Sequence, residues 1–196
     1  MKNLLLLGDS IKECYQYYVE KALNETANVY YTNDNGRFST YMLRYIHDWI
    51  RAISNCGKIE FDIVHFNCGL WDVLRLSTEN EPLVPLDEYR ANLQRIVNRI
   101  KHYCPQSRLI FATTTRVIEP GFEQNDEYGH RSNADIEEYN RVACEIMNSY
   151  GIYINDLWSV SCEASDQVYS DLVHLNTEEG NKILGEAVIK GLKEFL

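Results

Sequence analysis

Five apolar runs of strand length alternate with longer segments of helical periodicity, and this alternation constrains the fold more than any other feature of the chain. Regular strand–helix alternation predicts an α/β domain built on a parallel sheet. The runs are apolar at most positions rather than at every second one, which is typical of strands covered on both faces. The predicted strands are residues 4–7, 29–31, 61–69, 108–115 and 151–156.

The segments between these runs repeat apolar residues at helical spacing, most clearly in residues 40–53. No linker-like stretch or internal repeat divides the chain, so we expect one domain spanning residues 1–196. The predicted helices are residues 11–23, 40–53, 86–103, 133–150 and 177–195.

Composition limits the partners and the compartment. The formal net charge is −10 and no block of Lys and Arg stands out, which argues against nucleic acid and anionic membranes as partners. The six cysteines form no C-x-x-C pair, and we expect most of them to act as small buried apolar residues. No apolar stretch approaches the length of a membrane span or of a secretory signal. The sequence therefore predicts a soluble protein of the reducing cytoplasm.

The end of the first predicted strand carries Gly8-Asp9-Ser10, which leads directly into a helix. In a parallel α/β sheet, sites form beyond the carboxyl ends of the strands. A serine in the first helical turn lies near unpaired backbone N–H groups and the positive end of the helix dipole, which favours a developing oxyanion. Taken alone, Ser10 is more simply explained as a helix cap, because serine caps are frequent.

The loop before the last helix carries Asp171 and, three residues later, His174. An aspartate bonded to one ring nitrogen fixes the tautomer and stabilises the cation that forms when the other nitrogen takes a proton. A D-x-x-H pattern is weak by itself, and a surface Asp beside a helix-flanking His is its alternative explanation. Serine needs such a base to become a nucleophile, so Ser10 and this pair support each other.

The two motifs, in this order and at these strand ends, resemble the first and last blocks of the SGNH, or GDSL, hydrolase family. The resemblance extends over the whole chain, because strand count, length and motif placement agree. It implies a three-layer α/β/α flavodoxin-like sandwich with a five-stranded parallel sheet, and an ester-cleaving activity without a metal or another cofactor. It also implies that Ser10 is the nucleophile, His174 the base and Asp171 its orienting group.

The resemblance places oxyanion donors at the backbone of Ser10, at a glycine after the second strand and at an asparagine after the third. Gly36 matches the glycine by position, although an ordinary Asn-Gly turn explains it equally well. The third position departs from the usual Gly-x-Asn-Asp, because Trp71 stands where the asparagine is expected. We expect Asn67 to supply the side-chain donor instead; its alternative role is to satisfy backbone groups of the loop.

Four further residues are weaker candidates for contact with the substrate. Arg37 and Arg116 suit an anionic or hydroxyl-rich leaving group, but plain surface arginines explain them as well. Trp71 is either a stacking surface for a sugar or core volume, and Asp9 is expected to tie down its loop. Residues 119–132 form either a flap over the site or a surface loop. No histidine pair has ligand spacing, so no metal site is predicted.

These residues predict a serine esterase that hydrolyses a short-chain acyl ester, such as an acetyl group on a carbohydrate, through an acyl-enzyme on Ser10. Lipid and thioester substrates are the alternatives. A binding protein on the same fold, without turnover, is a second hypothesis and is supported by the departure at Trp71. A phosphoryl-transfer enzyme using Asp9 is less well supported, because no second acidic residue follows at the spacing of a metal site.

Overall fold

The computed structural model describes residues 1–124 and 129–196, with the backbone alone for residues 122–124. Its centre is a five-stranded sheet with the order β2-β1-β3-β4-β5, in which every neighbouring pair is parallel. This order places β1 and β3 side by side in the middle of the sheet. The strands are β1 (Lys2–Leu7), β2 (Ala27–Tyr31), β3 (Ile63–Asn67), β4 (Arg108–Ala112) and β5 (Tyr153–Asn155).

In the described residues, six α-helices connect or follow these strands, and two short 3₁₀ segments cover Glu119–Gln124 and Asp166–Val168. The helix α5 was not predicted, because seven residues are too few to show a helical stripe. The helices are α1 (Ser10–Leu23), α2 (Ser39–Ile53), α3 (Leu86–Tyr103), α4 (Asn133–Ser149), α5 (Leu157–Glu163) and α6 (Glu178–Leu192).

Helices cover both faces of the sheet. The helix α6 packs against α1 and α5, while α3 packs against α2 and α4. Each residue from Leu4 to Leu7 is fully buried, as expected of a central strand with a helix layer on each side. The predicted three-layer α/β/α fold with a five-stranded parallel sheet is therefore confirmed.

Among the described residues fifteen polar side chains are buried, and most of them are hydrogen-bonded. His65, in the middle of β3, lies within hydrogen-bond distance of the Tyr15 hydroxyl (3.4 Å) and the Asn155 amide (3.3 Å). Burial lowers the pKa of His65 to about 3, so the ring is neutral.

The cysteines differ in exposure: Cys14, Cys68 and Cys104 are buried, whereas Cys56 and Cys162 are exposed. Within the described ranges, no helix is both long and apolar enough to cross a bilayer.

The strand β4 ends at Ala112, three residues earlier than predicted. The N–H of Thr113 still donates to the carbonyl of Asn155 on β5 (3.1 Å), but the other bonds of Thr113 and Thr114 go to helices. The hydroxyl of Thr113 accepts from the N–H of Trp158 (2.9 Å), and the N–H of Thr114 donates to Asn140 Oδ1 (2.8 Å). The loops after β1, β3 and β4 meet at the carboxyl edge of the sheet, where the candidate site lies.

Candidate active site

The helix α1 begins at Ser10, and Asp9 caps it. The Asp9 Oδ1 atom accepts a hydrogen bond from the N–H of Ile11 at 2.9 Å. Asp9 is fully buried, and burial raises its pKa even though this bond and one from Asn67 favour the charged form. Asp9 thus ties down the loop as expected, but its burial leaves no surface for the predicted contact with a substrate.

Ser10 and His174 are brought together although they are far apart in the sequence. The Oγ atom of Ser10 lies 2.8 Å from Nε2 of His174, and Nδ1 of His174 lies 2.7 Å from Oδ2 of Asp171. A serine oxygen, an imidazole and a carboxylate therefore form one hydrogen-bonded chain. In this arrangement the imidazole can take a proton from the hydroxyl while the carboxylate stabilises the resulting cation.

The loop that carries the imidazole is held in place by short backbone bonds. The N–H of Ser170 donates to the carbonyl of His174 (2.8 Å), which closes the loop on itself. The N–H of Ile118 donates to the carbonyl of Leu172 (2.8 Å), which ties the loop to the segment after β4. Thr177 then caps α6 by accepting from the N–H of Gly180.

The carboxylate of Asp171 is locked by three donors. Burial acts to raise its pKa, but the hydrogen bonds from the His174 imidazole and from the N–H groups of Val173 and His174 outweigh burial and lower the pKa. Asp171 therefore stays ionised at neutral pH, which suits a group that orients and stabilises an imidazole.

The two further predicted oxyanion donors are engaged elsewhere. The N–H of Gly36 donates to the carbonyl of Gly8 at 2.8 Å, so it is not free to hold an oxyanion. The close approach requires a glycine, because a Cβ at position 36 would lie 2.5 Å from that carbonyl oxygen. The structure thus corrects the predicted role of Gly36, which joins the loop after β2 to the loop that carries Ser10.

Asn67 also differs from its predicted role. Its amide nitrogen donates to Asp9 Oδ1 at 2.7 Å, and the side chain is buried against Gly8. Asn67 therefore supports the cap of α1 rather than facing a substrate. By contrast, the N–H of Ser10 has no hydrogen-bond acceptor among residues 1–124 and 129–196.

The predicted arginines have different environments. Arg116 donates to the carbonyls of Ser161 (2.9 Å) and Ala164 (3.0 Å) and pairs with Asp166 (2.5 Å). Its guanidinium braces α5 and the following loop, which replaces the predicted contact with a substrate. Arg37 has a left-handed backbone (φ 48°), and its guanidinium lies 4.5 Å from the ring centroid of Tyr41.

Trp71 is half-buried, and a residue that the sequence did not single out lies over it. The guanidinium of Arg131 is 5.7 Å from the Trp71 ring centroid, and Arg131 Nε donates to the carbonyl of Leu70 at 2.7 Å. No periodicity or motif marks Arg131, which lies in a polar loop segment. Only its position just before Ser132, the cap of α4, indicates that its backbone is ordered.

The predicted flap at residues 119–132 includes residues 125–128, which lie outside the described residues. The two ends of that segment are anchored. Glu119 accepts from the N–H of Asn133 (2.8 Å), and Gly121 packs closely on the side chain of Leu172. Among the described residues, no group of three or more His, Cys, Asp or Glu side chains is arranged as metal ligands would be.

The chain is similar in sequence to several curated esterases, although no family model matches it. It is 31% identical over 120 residues to a GDSL esterase/lipase of Arabidopsis thaliana, covering 57% of this chain and 49% of that protein. The GDSL esterase/lipase WDL1 of Oryza sativa subsp. japonica is 27% identical over 67% of this chain and 53% of its own length. The human isoamyl acetate-hydrolyzing esterase 1 homolog is 30% identical over 52% of this chain and 43% of its own length. The matches thus span about half the length of these relatives.

Solved structures share the whole fold at low sequence identity. A lipase/acylhydrolase from Enterococcus faecalis has a TM-score of 0.73 at 18% identity, covering 99% of this chain and 96% of its own. The acetyl xylan esterase AlAXEase has a TM-score of 0.74 at 14% identity, covering 97% and 99%. Together with the sequence matches, these structures confirm the resemblance to the GDSL hydrolases that Gly8-Asp9-Ser10 and the Asp171–His174 pair predict.

Proposed function

We propose that the protein is a serine esterase that hydrolyses short-chain acyl esters through an acyl-enzyme on Ser10. The observation that carries this proposal is the hydrogen-bonded chain from Ser10 through His174 to Asp171, with distances of 2.8 and 2.7 Å. The similarity to GDSL esterase/lipases and to an isoamyl acetate-hydrolyzing esterase supports the same reaction class.

In the proposed mechanism, His174 removes the proton from the Ser10 hydroxyl as its oxygen attacks the ester carbonyl. The imidazolium then gives this proton to the leaving alcohol, and an acyl-enzyme remains. Water attacks the acyl-enzyme with His174 again as the base, which frees the acid and restores Ser10. Asp171 orients the imidazole throughout and stabilises its charged form.

The oxyanion of each tetrahedral intermediate needs donors that are not already bonded. The N–H of Ser10 is one, at the positive end of α1. The first turn of α2 carries further free donors, because the N–H groups of Thr40 and Tyr41 have no acceptor in the described part of the chain, whereas the N–H of Ser39 donates to Asp72. We propose that a free N–H of this turn replaces Gly36 as the backbone donor that follows β2.

The acyl group is proposed to be short, and an acetyl group on a carbohydrate is the leading example. An acetyl xylan esterase shares the fold, and one of the relatives is named for the hydrolysis of isoamyl acetate. Acetylated xylan and isoamyl acetate are both acetate esters. The half-buried Trp71 adds an aromatic surface at the same edge of the sheet, of the kind that packs on a sugar ring.

Covalent labelling tests the proposal directly. We expect a fluorophosphonate probe to label the folded wild-type protein at Ser10 and to leave the Ser10→Ala variant unlabelled. A p-nitrophenyl acetate assay is expected to show a burst of alcohol release that the same variant loses. Ser165→Ala is the matched control, because Ser165 caps a 3₁₀ segment and makes no bond to His174. An unlabelled wild-type protein without turnover would refute the esterase proposal.

The second candidate function is ligand binding without turnover on the same fold. It is favoured by one observation, namely that Gly36 and Asn67 are both bonded within the protein rather than free to hold an oxyanion. The labelling experiment separates the two functions, because a binding protein does not form the phosphonylated serine even when an ester occupies the site.

A further inference from the structure

Arg131 has a backbone that is fixed on both sides. On one side, His130 and Arg75 form an antiparallel bridge, with N–H to carbonyl distances of 2.9 and 3.0 Å. On the other side, Ser132 caps α4 by accepting from the N–H of Asp135. The position of the Arg131 Cα atom is therefore set by contacts that do not involve its side chain.

The side chain of Arg131 is oriented toward the loop after β3. Its Nε atom donates to the carbonyl of Leu70 at 2.7 Å, and its guanidinium lies over the ring of Trp71. Leu70 and Trp71 leave the sheet at the same edge as Ser10. With Nε engaged, the two terminal nitrogens form the remaining donor pair of the fork. Because these contacts already hold the side chain of Arg131, little conformational entropy is lost when the two nitrogens bind a ligand.

Arg131 is a charged group that forms no ion pair in the described part of the chain. Burial lowers its pKa to about 10, while the charges of Asp9 and Asp171 act to raise it, so it is still a cation at neutral pH. Within residues 1–124 and 129–196 it makes no salt bridge, and its terminal nitrogens have no hydrogen-bond acceptor. Arg75 and Arg116 differ in this respect, because each pairs with an aspartate.

A desolvated cation that has no ion-pair partner destabilises a folded protein unless a bound anion neutralises it. We propose that the terminal nitrogens of Arg131 bind a carboxylate carried by the ester substrate, so that the protein prefers anionic esters. This inference rests on the proposed esterase function and adds a substrate class to it. O-acetylated uronic acids are one example of such esters.

A carboxylate suits this site better than a phosphate does. The two terminal N–H groups of a guanidinium match the two oxygens of a planar carboxylate in a bidentate pair. One guanidinium also neutralises one negative charge, whereas a phosphate monoester brings nearly two at neutral pH.

Matched ester pairs test the proposal and locate the carboxylate. On the alcohol side, O-acetylated glucuronic acid is compared with O-acetylated glucose; on the acyl side, the p-nitrophenyl monoester of succinic acid is compared with p-nitrophenyl butyrate. We expect the wild-type protein to prefer the anionic member of one pair in kcat/KM. Arg131→Gln is expected to reduce that preference by about 10- to 100-fold.

Two further variants make the result specific. Arg131→Lys keeps the charge but loses the planar fork, so it is expected to retain only part of the preference. Arg44→Gln is the matched control, because Arg44 is an exposed arginine on α2 that pairs with Asp48; it is expected to keep the full preference. A wild-type protein that does not discriminate within either pair, or an Arg131→Gln variant that discriminates as well as wild type, overturns the proposal.

A binding measurement separates failure of this inference from failure of the proposed function. Calorimetric titration of the Ser10→Ala protein with glucuronate, glucose, succinate and butanol requires no turnover. We expect one of the two carboxylates to bind more tightly than its neutral counterpart, and Arg131→Gln, introduced on the same background, to abolish the difference. If neither carboxylate binds better, the inference is wrong even if Ser10 is labelled; if one does while Ser10 is not labelled, only the esterase proposal fails.

Discussion

Burial separates the roles of two aspartates near Ser10. Asp9 is fully buried, and its carboxylate holds the first turn of α1, whereas Asp171 is about half exposed and lies on the imidazole of His174. Asp9 accepts from Ile11 and Asn67 and has no bond to the imidazole. The sequence placed both carboxylates at the same edge of the sheet, but only their hydrogen-bond partners show which one can assist proton transfer.

Replacing Asp171 by asparagine is expected to lower kcat by about 10²- to 10⁴-fold, because His174 loses the anion that fixes its tautomer and stabilises its charged form. The p-nitrophenyl acetate assay measures this effect. Asp166→Asn is the control, since Asp166 pairs with Arg116 and not with the imidazole. A kcat of Asp171→Asn within about threefold of wild type would remove Asp171 from the mechanism.

Hydrogen bonding also predicts the sign of a pH effect at Asp171. Hydrogen bonds to the Asp171 carboxylate outweigh the effect of its burial, so the pKa of Asp171 is lowered from 3.8. The ionised carboxylate therefore stabilises the folded protein above pH 3.8. This contribution is lost as the pH falls through the lowered pKa.

At the scale of elements, the start of α2 is attached to the loop after β3 by a buried carboxylate. Both oxygens of Asp72 accept from the N–H of Ser39, at 3.0 and 3.1 Å. Burial raises the pKa of Asp72 to about 7, against the effect of these bonds, and the charge of Asp9 adds to the increase. The folded protein therefore binds a proton at Asp72 more readily than the unfolded chain does.

This raised pKa predicts that stability declines as the pH rises toward 7. Between pH 3.8 and 7 the folded state holds a proton that the unfolded state has lost, so the free energy of unfolding falls by up to about 1.4 kcal/mol per pH unit. Urea unfolding between pH 4.5 and 8 measures the slope. We expect Asp72→Asn to flatten it, and Asp48→Asn, a change at an exposed position of α2, to leave it unchanged. Parallel slopes for wild type and Asp72→Asn would contradict the prediction.

A clear apolar period predicted the ends of a helix, whereas the ends of a strand depend on hydrogen bonds to its neighbours and were overestimated. The helix predicted at residues 86–103 is α3 with the same ends, because its apolar stripe is buried at helical spacing from Tyr89 to Ile100. The strand predicted at residues 61–69 is shorter, Ile63–Asn67. Phe61 and Cys68 are apolar and buried but lie outside the ladder, so hydrophobicity alone overestimates the strand.

At the scale of the whole molecule, the two halves of the candidate site are aligned by packing between α1 and α6. Ser10 begins α1, and His174 lies just before α6. These helices are in direct contact, and at Gly185 the contact is so close that a Cβ atom would lie 2.3 Å from the ring of Tyr18. The spacing of these helices therefore bears on the distance between the serine oxygen and the imidazole.

Gly185→Ala is expected to destabilise the protein by about 1 kcal/mol, because overpacking costs roughly 1–3 kcal/mol and the better helix propensity of alanine offsets about 1. Urea unfolding measures the stability, and the p-nitrophenyl acetate assay is expected to show a parallel loss of kcat. Combining it with Tyr18→Ala removes the clash, so the destabilisations should be less than additive. Strict additivity would show that the contact does not set the helix spacing.

The sequence by itself determined the class of fold and the edge of the sheet at which Ser10, Asp171 and His174 lie. Apolar periodicity is a local property, and parallel strands bring their carboxyl ends to one edge whatever the loops do. Tertiary structure alone decided which donors are free. Gly36 bonds to Gly8, Asn67 bonds to Asp9, and Arg131 lies over Trp71, and each of these contacts joins loops that are distant in the chain. Such pairings depend on how the loops pack across the sheet edge, which no local pattern of residues encodes.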